Sequence, residues 1–196
     1  MIDADLKKID FMSNAIQRIH NMSDREEIEN NAIDGEDEMG SLNHSLVQTN
    51  LAALLKLKCD KKLAVMTELS LDISQYDISQ YELEASAELK PDVCAYLKRP
   101  IIPEGKNDLI KVSQMPDLVI EILSPRQSID YLVRKTKAYF ELGVKTGWLV
   151  NPEQKIITVY SQPSHHLRYK TFALDTIPEV IDEILGIRFL MREIFE

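Results

Sequence analysis

The stretch Asp117-Leu-Val-Ile-Glu-Ile-Leu-Ser-Pro125 decides the fold, because it is a nearly continuous apolar run with one carboxylate, Glu121, in its interior. Strands that are apolar on both faces lie in the middle of a sheet that is covered on both sides. A helix is predicted over 129–142, where Gly143 ends it, and a second apolar strand over 147–151. A strand, a helix and a strand in this order form a βαβ unit with a right-handed crossover. The sequence therefore predicts an α/β fold.

The chain on either side of this unit predicts further elements of the same domain. A helix that Ser41 or Asn43 caps is expected first, followed by a strand over 63–73 in which apolar and polar residues alternate. The apolar stripe of that helix is predicted to be Leu46, Val47, Leu51, Leu54 and Leu55. The other expected elements are a weak strand over 78–83, a strand over 91–97, a loop over 98–115, strands over 156–160 and 167–172, and a short helix over 179–185.

The first 40 residues differ in charge from the rest of the chain. They contain 11 acidic and four basic residues, whereas residues 41–196 contain 21 acidic and 19 basic residues, and the net charge of the chain is −9. Apolar residues at helical spacing predict an amphipathic helix over 4–21, followed by an acidic linker. We therefore divide the chain into an acidic arm, 1–40, and a domain, 41–196. A solvated arm and a helix that binds a partner both remain open for residues 1–40.

Composition excludes several classes of protein. The apolar runs are much shorter than the roughly 20 residues of a membrane span, and no basic and apolar leader opens the chain. The two cysteines, Cys59 and Cys94, lack the spacing of a thiolate zinc site or a disulfide framework. His165 and His166 form a loop pair that we expect to be exposed. We expect a cytoplasmic protein with no membrane partner.

Glu121 is the residue that most needs an explanation, because a carboxylate inside an apolar strand is costly to bury unless it is paired or binds a metal. If the strand containing Asp92 neighbours the strand containing Glu121, the two carboxylates can converge on one hard cation such as Mg²⁺. The alternative for Glu121 is a strand-end carboxylate that reaches solvent or a lysine. The alternative for Asp92 is a role in the turn after Pro91.

The predicted helix after Glu121 supplies cations. Its buried stripe places Lys135 and Lys137 at the two borders and Arg134 toward solvent. A lysine at such a border can lay its stem on the core and extend its ammonium toward the carboxylates of the strand. The alternative is a solvated helix edge.

Four segments together resemble a large bacterial family of restriction endonuclease-like proteins in the PD-(D/E)xK nuclease superfamily. They are Lys90-Pro-Asp-Val-Cys-Ala-Tyr96, Pro116-Asp-Leu-Val-Ile-Glu-Ile-Leu-Ser-Pro125, Lys135-Thr-Lys-Ala-Tyr-Phe-Glu-Leu-Gly-Val144 and Gly147-Trp-Leu-Val-Asn-Pro152. The resemblance extends from about Gly40 to the C-terminus. It implies a restriction endonuclease-like core, in which helices flank a mixed β-sheet.

The resemblance also implies a set of catalytic residues. Asp92 matches the aspartate of the PD element, and Glu121 matches the acid of the (D/E)xK element. Leu123 stands where the lysine usually follows, and the family resemblance assigns that role to Lys135 on the next helix, with Tyr139 one turn later. Asn31 replaces an acidic residue that is common in the family.

These matches imply a hydrolase that cleaves DNA with Mg²⁺, or Mn²⁺ in its place, held by Asp92 and Glu121. Lys135 would stabilise the transition state or orient the nucleophile, and Arg126 and Lys137 would hold the DNA backbone. His44 and Gln48 on the first core helix are candidate accessory residues. A homodimer remains open. The alternative function is an inactive nuclease-fold module that binds DNA or a protein, which Leu123, Asn31 and the net acidity favour.

Overall fold

A six-stranded mixed sheet forms the centre of the domain. The computed structural model describes residues 40–59, 63–83, 87–162 and 166–196. Its helices are α1 (Leu42–Cys59), α2 (Ile129–Glu141) and α3 (Met191–Phe195). Its strands are β1 (Ala64–Thr67), β2 (Leu71–Asp72), β3 (Glu88–Leu89), β4 (Val93–Tyr96), β5 (Leu118–Ile122), β6 (Thr146–Asn151), β7 (Ile156–Ser161), β8 (Arg168–Ala173), β9 (Glu179–Asp182) and β10 (Ile187–Leu190). The strand order in the six-stranded sheet is β1-β4-β5-β6-β7-β8.

The predicted βαβ unit is confirmed as β5, α2 and β6. The two strands are parallel neighbours, and β4 pairs with the other edge of β5 in the antiparallel direction. All five residues of β5 are buried because its alternate side chains enter two different apolar layers. Ile120 packs in a layer that includes residues of α1 and α3, while Val119 packs in a second layer with Tyr139 of α2. The fold is therefore the predicted α/β class, with a mixed sheet flanked by helices.

The prediction of a single strand over 63–73 is wrong. It is two strands, β1 in the main sheet and β2 paired with β3, and the break lies near Glu68, whose backbone has a φ of +50°. A residue in the left-handed region redirects the chain, so the apolar residues on the two sides of the break enter different layers. Leu63 packs in the layer of α1, and Leu71 packs in the layer of α2. Alternation continues through the break in the sequence and hides it.

Two other predicted elements are also wrong. The weak strand expected over 78–83 is a short 3₁₀ helix at Ser79–Tyr81. The helix expected over 179–185 is β9, which pairs with β10, and the last helix is α3 instead. Asp182 explains this difference, because its buried carboxylate accepts hydrogen bonds from Trp148 Nε1 at 2.9 Å and from the main chain that follows β9. Both contacts fix 179–182 as an extended segment.

The first core helix begins where it was predicted, and Ser41 Oγ accepts a hydrogen bond from the His44 N–H at 3.3 Å. Val47, Leu51 and Leu55 of its predicted stripe are buried, but Leu46 is exposed. The helix and linker predicted within the arm lie outside the described residues, apart from Gly40. Within the described part of the chain, no helix has both the length and the apolarity that crossing a bilayer requires.

Candidate active site

Asp92 and Glu121 face each other across the antiparallel β4–β5 pair. The ladder places Val93 opposite Ile120, so continuing the register by one residue places Asp92 opposite Glu121. The main-chain N–H of Ile122 donates to Asp92 Oδ2 at 2.6 Å, which ties this carboxylate to the end of β5. The strand adjacency that the sequence left as a condition is therefore met, and the two carboxylates lie side by side.

Glu121 is buried against two donors from α2. Lys135 Nζ lies 3.2 Å from Oε2 and the Tyr139 hydroxyl donates to Oε1 at 2.9 Å, while Glu121 and Lys135 are only 2% and 4% exposed. Lys135 Nζ also donates to the carbonyl oxygen of Lys90 at 3.0 Å. Burial raises the pKa of the Glu121 carboxyl to about 7; the Lys135 ammonium opposes this rise and the Asp92 carboxylate adds to it. The arrangement is a buried ion pair beside a second carboxylate.

The start of α2 explains why its lysine arrives at this point. Ser128 caps the helix, since its side chain accepts a hydrogen bond from the Tyr131 N–H at 3.1 Å. Lys135 and Tyr139 are one turn apart, so their side chains lie on the same helix face. That face covers Glu121. Leu123 occupies the position two residues after Glu121, and it packs against the apolar cluster of Tyr131, Leu132 and Leu149.

Asp92 has a second set of partners on α1. His44 Nε2 lies 3.2 Å from Asp92 Oδ1, and Gln48 Nε2 donates to the Asp92 carbonyl oxygen at 3.0 Å. The hydrogen bond to Asp92 raises the pKa of His44, burial opposes it, and the charges of Asp92, Glu121 and Glu68 add to the rise. Both residues that the sequence suggested as accessory therefore contact the predicted catalytic aspartate.

Glu68 is a site neighbour that sequence reasoning missed. Gln48 Nε2 lies 3.2 Å from its Oε1, and its main-chain N–H donates to the Asp92 carbonyl oxygen at 3.2 Å. The β1–β4 ladder pairs Thr67 with Val93, so the next residues in register are Glu68 and Asp92. Glu68 follows the last residue of β1 and Asp92 precedes the first residue of β4, so the two residues meet where these strands end. Strand pairing is non-local, and nothing in the alternating pattern around Glu68 signals it.

The predicted backbone-binding cations lie on the surface. Arg126 is exposed in the connection between β5 and α2, and Lys137 is exposed on α2. Arg134, predicted to point to solvent, instead donates to the carbonyl oxygens of Tyr81 and Glu82 at 3.0 and 2.6 Å.

Two further observations concern polar residues outside the Asp92–Glu121 pair. His166 is exposed as predicted, and His165 lies outside the described residues. Asp117 takes a structural role apart from Glu121, because it accepts from the Leu97 N–H at 2.7 Å and pairs with Lys145.

The carboxylates of Asp92 and Glu121 suit a metal ion that is also coordinated by a bound substrate. Carboxylate oxygens are the ligands that Mg²⁺ prefers, and Mg²⁺ sites commonly combine one or two carboxylates with phosphate oxygens and water. Asp92 and Glu121 provide two such groups. Among the described residues, no cluster of three or more His, Cys, Asp or Glu side chains is arranged to hold a metal alone. The pair therefore fits a cation whose other ligands come from substrate phosphate and water.

Comparison with known proteins identifies a family and a structural neighbour. A sequence model of the family Uma2, described as "Putative restriction endonuclease", matches residues 16–188. Among solved structures, a protein from Anabaena variabilis whose title calls it a putative nuclease of DUF820 superposes with a TM-score of 0.63. It is 19% identical, and the match covers 81% of this chain and 83% of that one, so it shows a shared fold. No curated protein matches this chain.

Proposed function

The chain belongs to the Uma2 family of putative restriction endonucleases, and from this membership we propose that it is a metal-dependent endonuclease that hydrolyses phosphodiester bonds in DNA. Its catalytic residues are Asp92, Glu121 and Lys135. The observation that carries the proposal is the convergence of two adjacent strand carboxylates with one buried ammonium, 3.2 Å from Glu121 Oε2. These groups match what phosphodiester hydrolysis requires, namely a site for a hard cation and a fixed positive charge.

Asp92 and Glu121 would hold Mg²⁺ or Mn²⁺, which would polarise the scissile phosphate and lower the pKa of a bound water. The two carboxylates need that cation to accept an anionic phosphate beside them, because like charges repel. Their positions are fixed before substrate arrives. Asp92 is held by the Ile122 N–H, and Glu121 is held by Tyr139 and Lys135.

Lys135 would donate to a phosphate oxygen as negative charge accumulates in the transition state. Its ammonium is already desolvated, because the side chain is buried against Glu121 and Lys90. A charge that is aimed before the reaction needs little reorganisation during it, and in a site of low dielectric it acts more strongly than it would in water. The lysine of the site therefore comes from α2, and Leu123 is left to pack.

The proposed substrate is DNA, and Arg126 and Lys137 would contact its backbone. Both side chains are exposed. The segment from Lys90 to Lys145 contains ten basic and seven acidic residues, although the whole chain has a net charge of −9. Phosphate contacts position a duplex without reading its sequence. This local excess of basic residues would attract DNA to the segment that contains Asp92 and Glu121. The net negative charge of the whole chain disfavours non-specific binding of nucleic acid over the rest of the surface.

The test is nicking of supercoiled plasmid in Mg²⁺ or Mn²⁺ by wild type, Asp92→Asn, Glu121→Gln and Lys135→Met. Lys145→Met is the matched control, because it removes a lysine from another carboxylate of the same strand region. Circular dichroism first verifies that each variant is folded. We expect cleavage by wild type and the control, loss of cleavage in the three site variants, and loss in wild type when EDTA is added.

The alternative is a nuclease-fold module that binds DNA or a protein without turnover, which Leu123 at the usual lysine position favours. If wild type and site variants are equally inert over a wide range of metal and pH, the nuclease proposal is wrong. DNA binding that is retained in those inert proteins would then support the alternative.

A further inference from the structure

Two side chains of α1 hold Asp92 at both its carboxylate and its main chain. His44 and Gln48 are four residues apart, so they lie on the same helix face. His44 Nε2 lies 3.2 Å from Asp92 Oδ1, and Gln48 Nε2 donates to the Asp92 carbonyl oxygen at 3.0 Å. The first two turns of α1 therefore form a clamp on this one residue, which we call the α1 clamp.

The clamp extends to the end of β1 through Glu68. Gln48 Nε2 is shared between the Asp92 carbonyl oxygen and Glu68 Oε1, and the Glu68 N–H donates to the same carbonyl oxygen. Glu68 itself has a φ of +50°, a backbone conformation that non-glycine residues seldom adopt. Such conformations persist only where surrounding contacts determine them, and they cluster at functional sites.

His44 itself is poorly satisfied, although it is buried. The residue is 7% exposed, and its Nδ1 has no hydrogen-bond partner among the described residues. A cavity-filling apolar side chain at this position would avoid the cost of an unpaired buried nitrogen. Stability alone therefore does not explain a histidine here, whereas its contact with Asp92 does.

We propose that His44 is a positioning residue that, together with Gln48, fixes the Asp92 carboxylate for the divalent cation. The inference rests on the proposed function, since it assigns a role toward the cation of that site. Asp92 Oδ2 already accepts the short bond from the Ile122 N–H, so the contact of Oδ1 with His44 fixes the rotation of the carboxylate. Groups that orient a metal-binding carboxylate typically change metal affinity by about 10–100-fold when they are removed.

His44 acts through Asp92 and does not touch the substrate. Its Nε2 contacts Asp92. Its Nδ1 is buried next to Gly40, so close that a Cβ atom added to Gly40 would lie 3.0 Å from this nitrogen. A histidine that served as general base would need one nitrogen open to the reacting water.

The experiment measures Mn²⁺ affinity by isothermal titration calorimetry on the full chain without DNA. His44→Leu removes the donor, and His44→Gln keeps a donor at about the reach of the imidazole Nε2. Asn50→Leu is the matched control, because it removes a side-chain hydrogen bond from the same helix to the Ile194 carbonyl oxygen, away from Asp92. Asp92→Asn defines the signal that depends on the site.

We expect Mn²⁺ to bind about 10–100-fold more weakly to His44→Leu than to wild type. His44→Gln should restore most of the affinity, and Asn50→Leu should bind as wild type does. Thermal unfolding without metal should show that His44→Leu is at least as stable as Asn50→Leu. If His44→Leu does not fold, Gln48→Leu tests the same clamp through the main chain, and a weaker Mn²⁺ affinity is again expected.

Wild-type affinity in His44→Leu overturns the inference, as does an equal loss in His44→Leu and His44→Gln. In both cases the proposed function stands if binding still depends on Asp92. Wild-type protein that binds Mn²⁺ no better than Asp92→Asn overturns the proposed metal site and the inference together.

Discussion

Lys135→Met should destabilise the fold strongly above pH 7, where Glu121 is ionised in the wild type, because it leaves that carboxylate buried without its cation. The Lys135 and Glu121 side chains are 5% and 3% exposed, and the ammonium lies 3.2 Å from Oε2. Removing one partner of a buried ion pair costs about 3–5 kcal/mol in free energy of unfolding. For a domain of this size, that corresponds to a decrease of about 6–20 °C in Tm, at about 2–4 °C per kcal/mol.

The matched control is Lys145→Met, which breaks a shorter ion pair. Lys145 Nζ lies 2.7 Å from Asp117 Oδ1, but the two side chains are 53% and 16% exposed. Solvent-exposed pairs contribute about 0–1 kcal/mol, since water screens them and the long side chain loses entropy. The longer contact should therefore be the more costly one to break, because burial outweighs 0.5 Å of distance.

The assay is urea unfolding in EDTA at a pH above 7, followed by the fluorescence of Trp148, the one tryptophan of the chain, which is fully buried. Adding Glu121→Gln to Lys135→Met should recover part of the lost stability, because the double variant has no buried charge at this point. The reasoning is refuted if Lys135→Met costs less than about 1 kcal/mol, the range of a surface pair. It is also refuted if Glu121→Gln adds its own full cost in the Lys135→Met background.

Three further predictions concern buried groups other than Asp92 and Glu121. Asp182→Ala removes the acceptor of Trp148 Nε1, so we expect a loss of about 3 kcal/mol in urea unfolding and a shifted tryptophan emission, with Mn²⁺ affinity unchanged. Gly147→Ala places a Cβ 3.1 Å from Thr136 Cγ2; it should cost about 1–3 kcal/mol, and Thr136→Ser should relieve part of that loss. Burial raises the pKa of the Cys94 thiol to about 12, so Ellman's reagent should modify it only after denaturation, as peptide mass spectrometry can verify.

The sequence predicts the centre of the fold well because the local residue pattern there is compatible with only one place in the sheet. Residues 117–123 are apolar on both faces, which only a central strand satisfies, and the cap and glycine of α2 fix its ends. The break near Glu68 could not be predicted, because a left-handed residue leaves no trace in apolar alternation. The strand at 179–182 was mistaken for a helix because its decisive contact, from Asp182 to Trp148, spans 34 residues.

In the candidate site, too, features that a local pattern encodes could be predicted, and features that depend on contacts between distant segments could not. Two predicted strands carry Asp92 and Glu121, but their adjacency was a condition, and the roles of these residues were implied by the family resemblance. The wheel of α2 placed Lys135 at the border of its buried face, in agreement with that resemblance. Its burial against Glu121 is greater than a border position suggests. The contacts of Gln48 with Glu68 and Asp92 depend on how α1 lies on the ends of two strands. No pattern within either segment encodes that packing.

Because the lysine is carried by α2, the length of the short connection from β5 to α2 determines where the Lys135 ammonium lies relative to Glu121. β5 ends at Ile122 and α2 begins at Ile129. A helix turns by about 100° per residue, so an insertion or deletion that shifts α2 by one residue swings the ammonium away from Glu121. The much longer segment between β4 and β5 lacks this requirement, because the strand ladder itself keeps Asp92 opposite Glu121. Length variation that preserves the site should therefore be tolerated in the long connection and rejected in the short one.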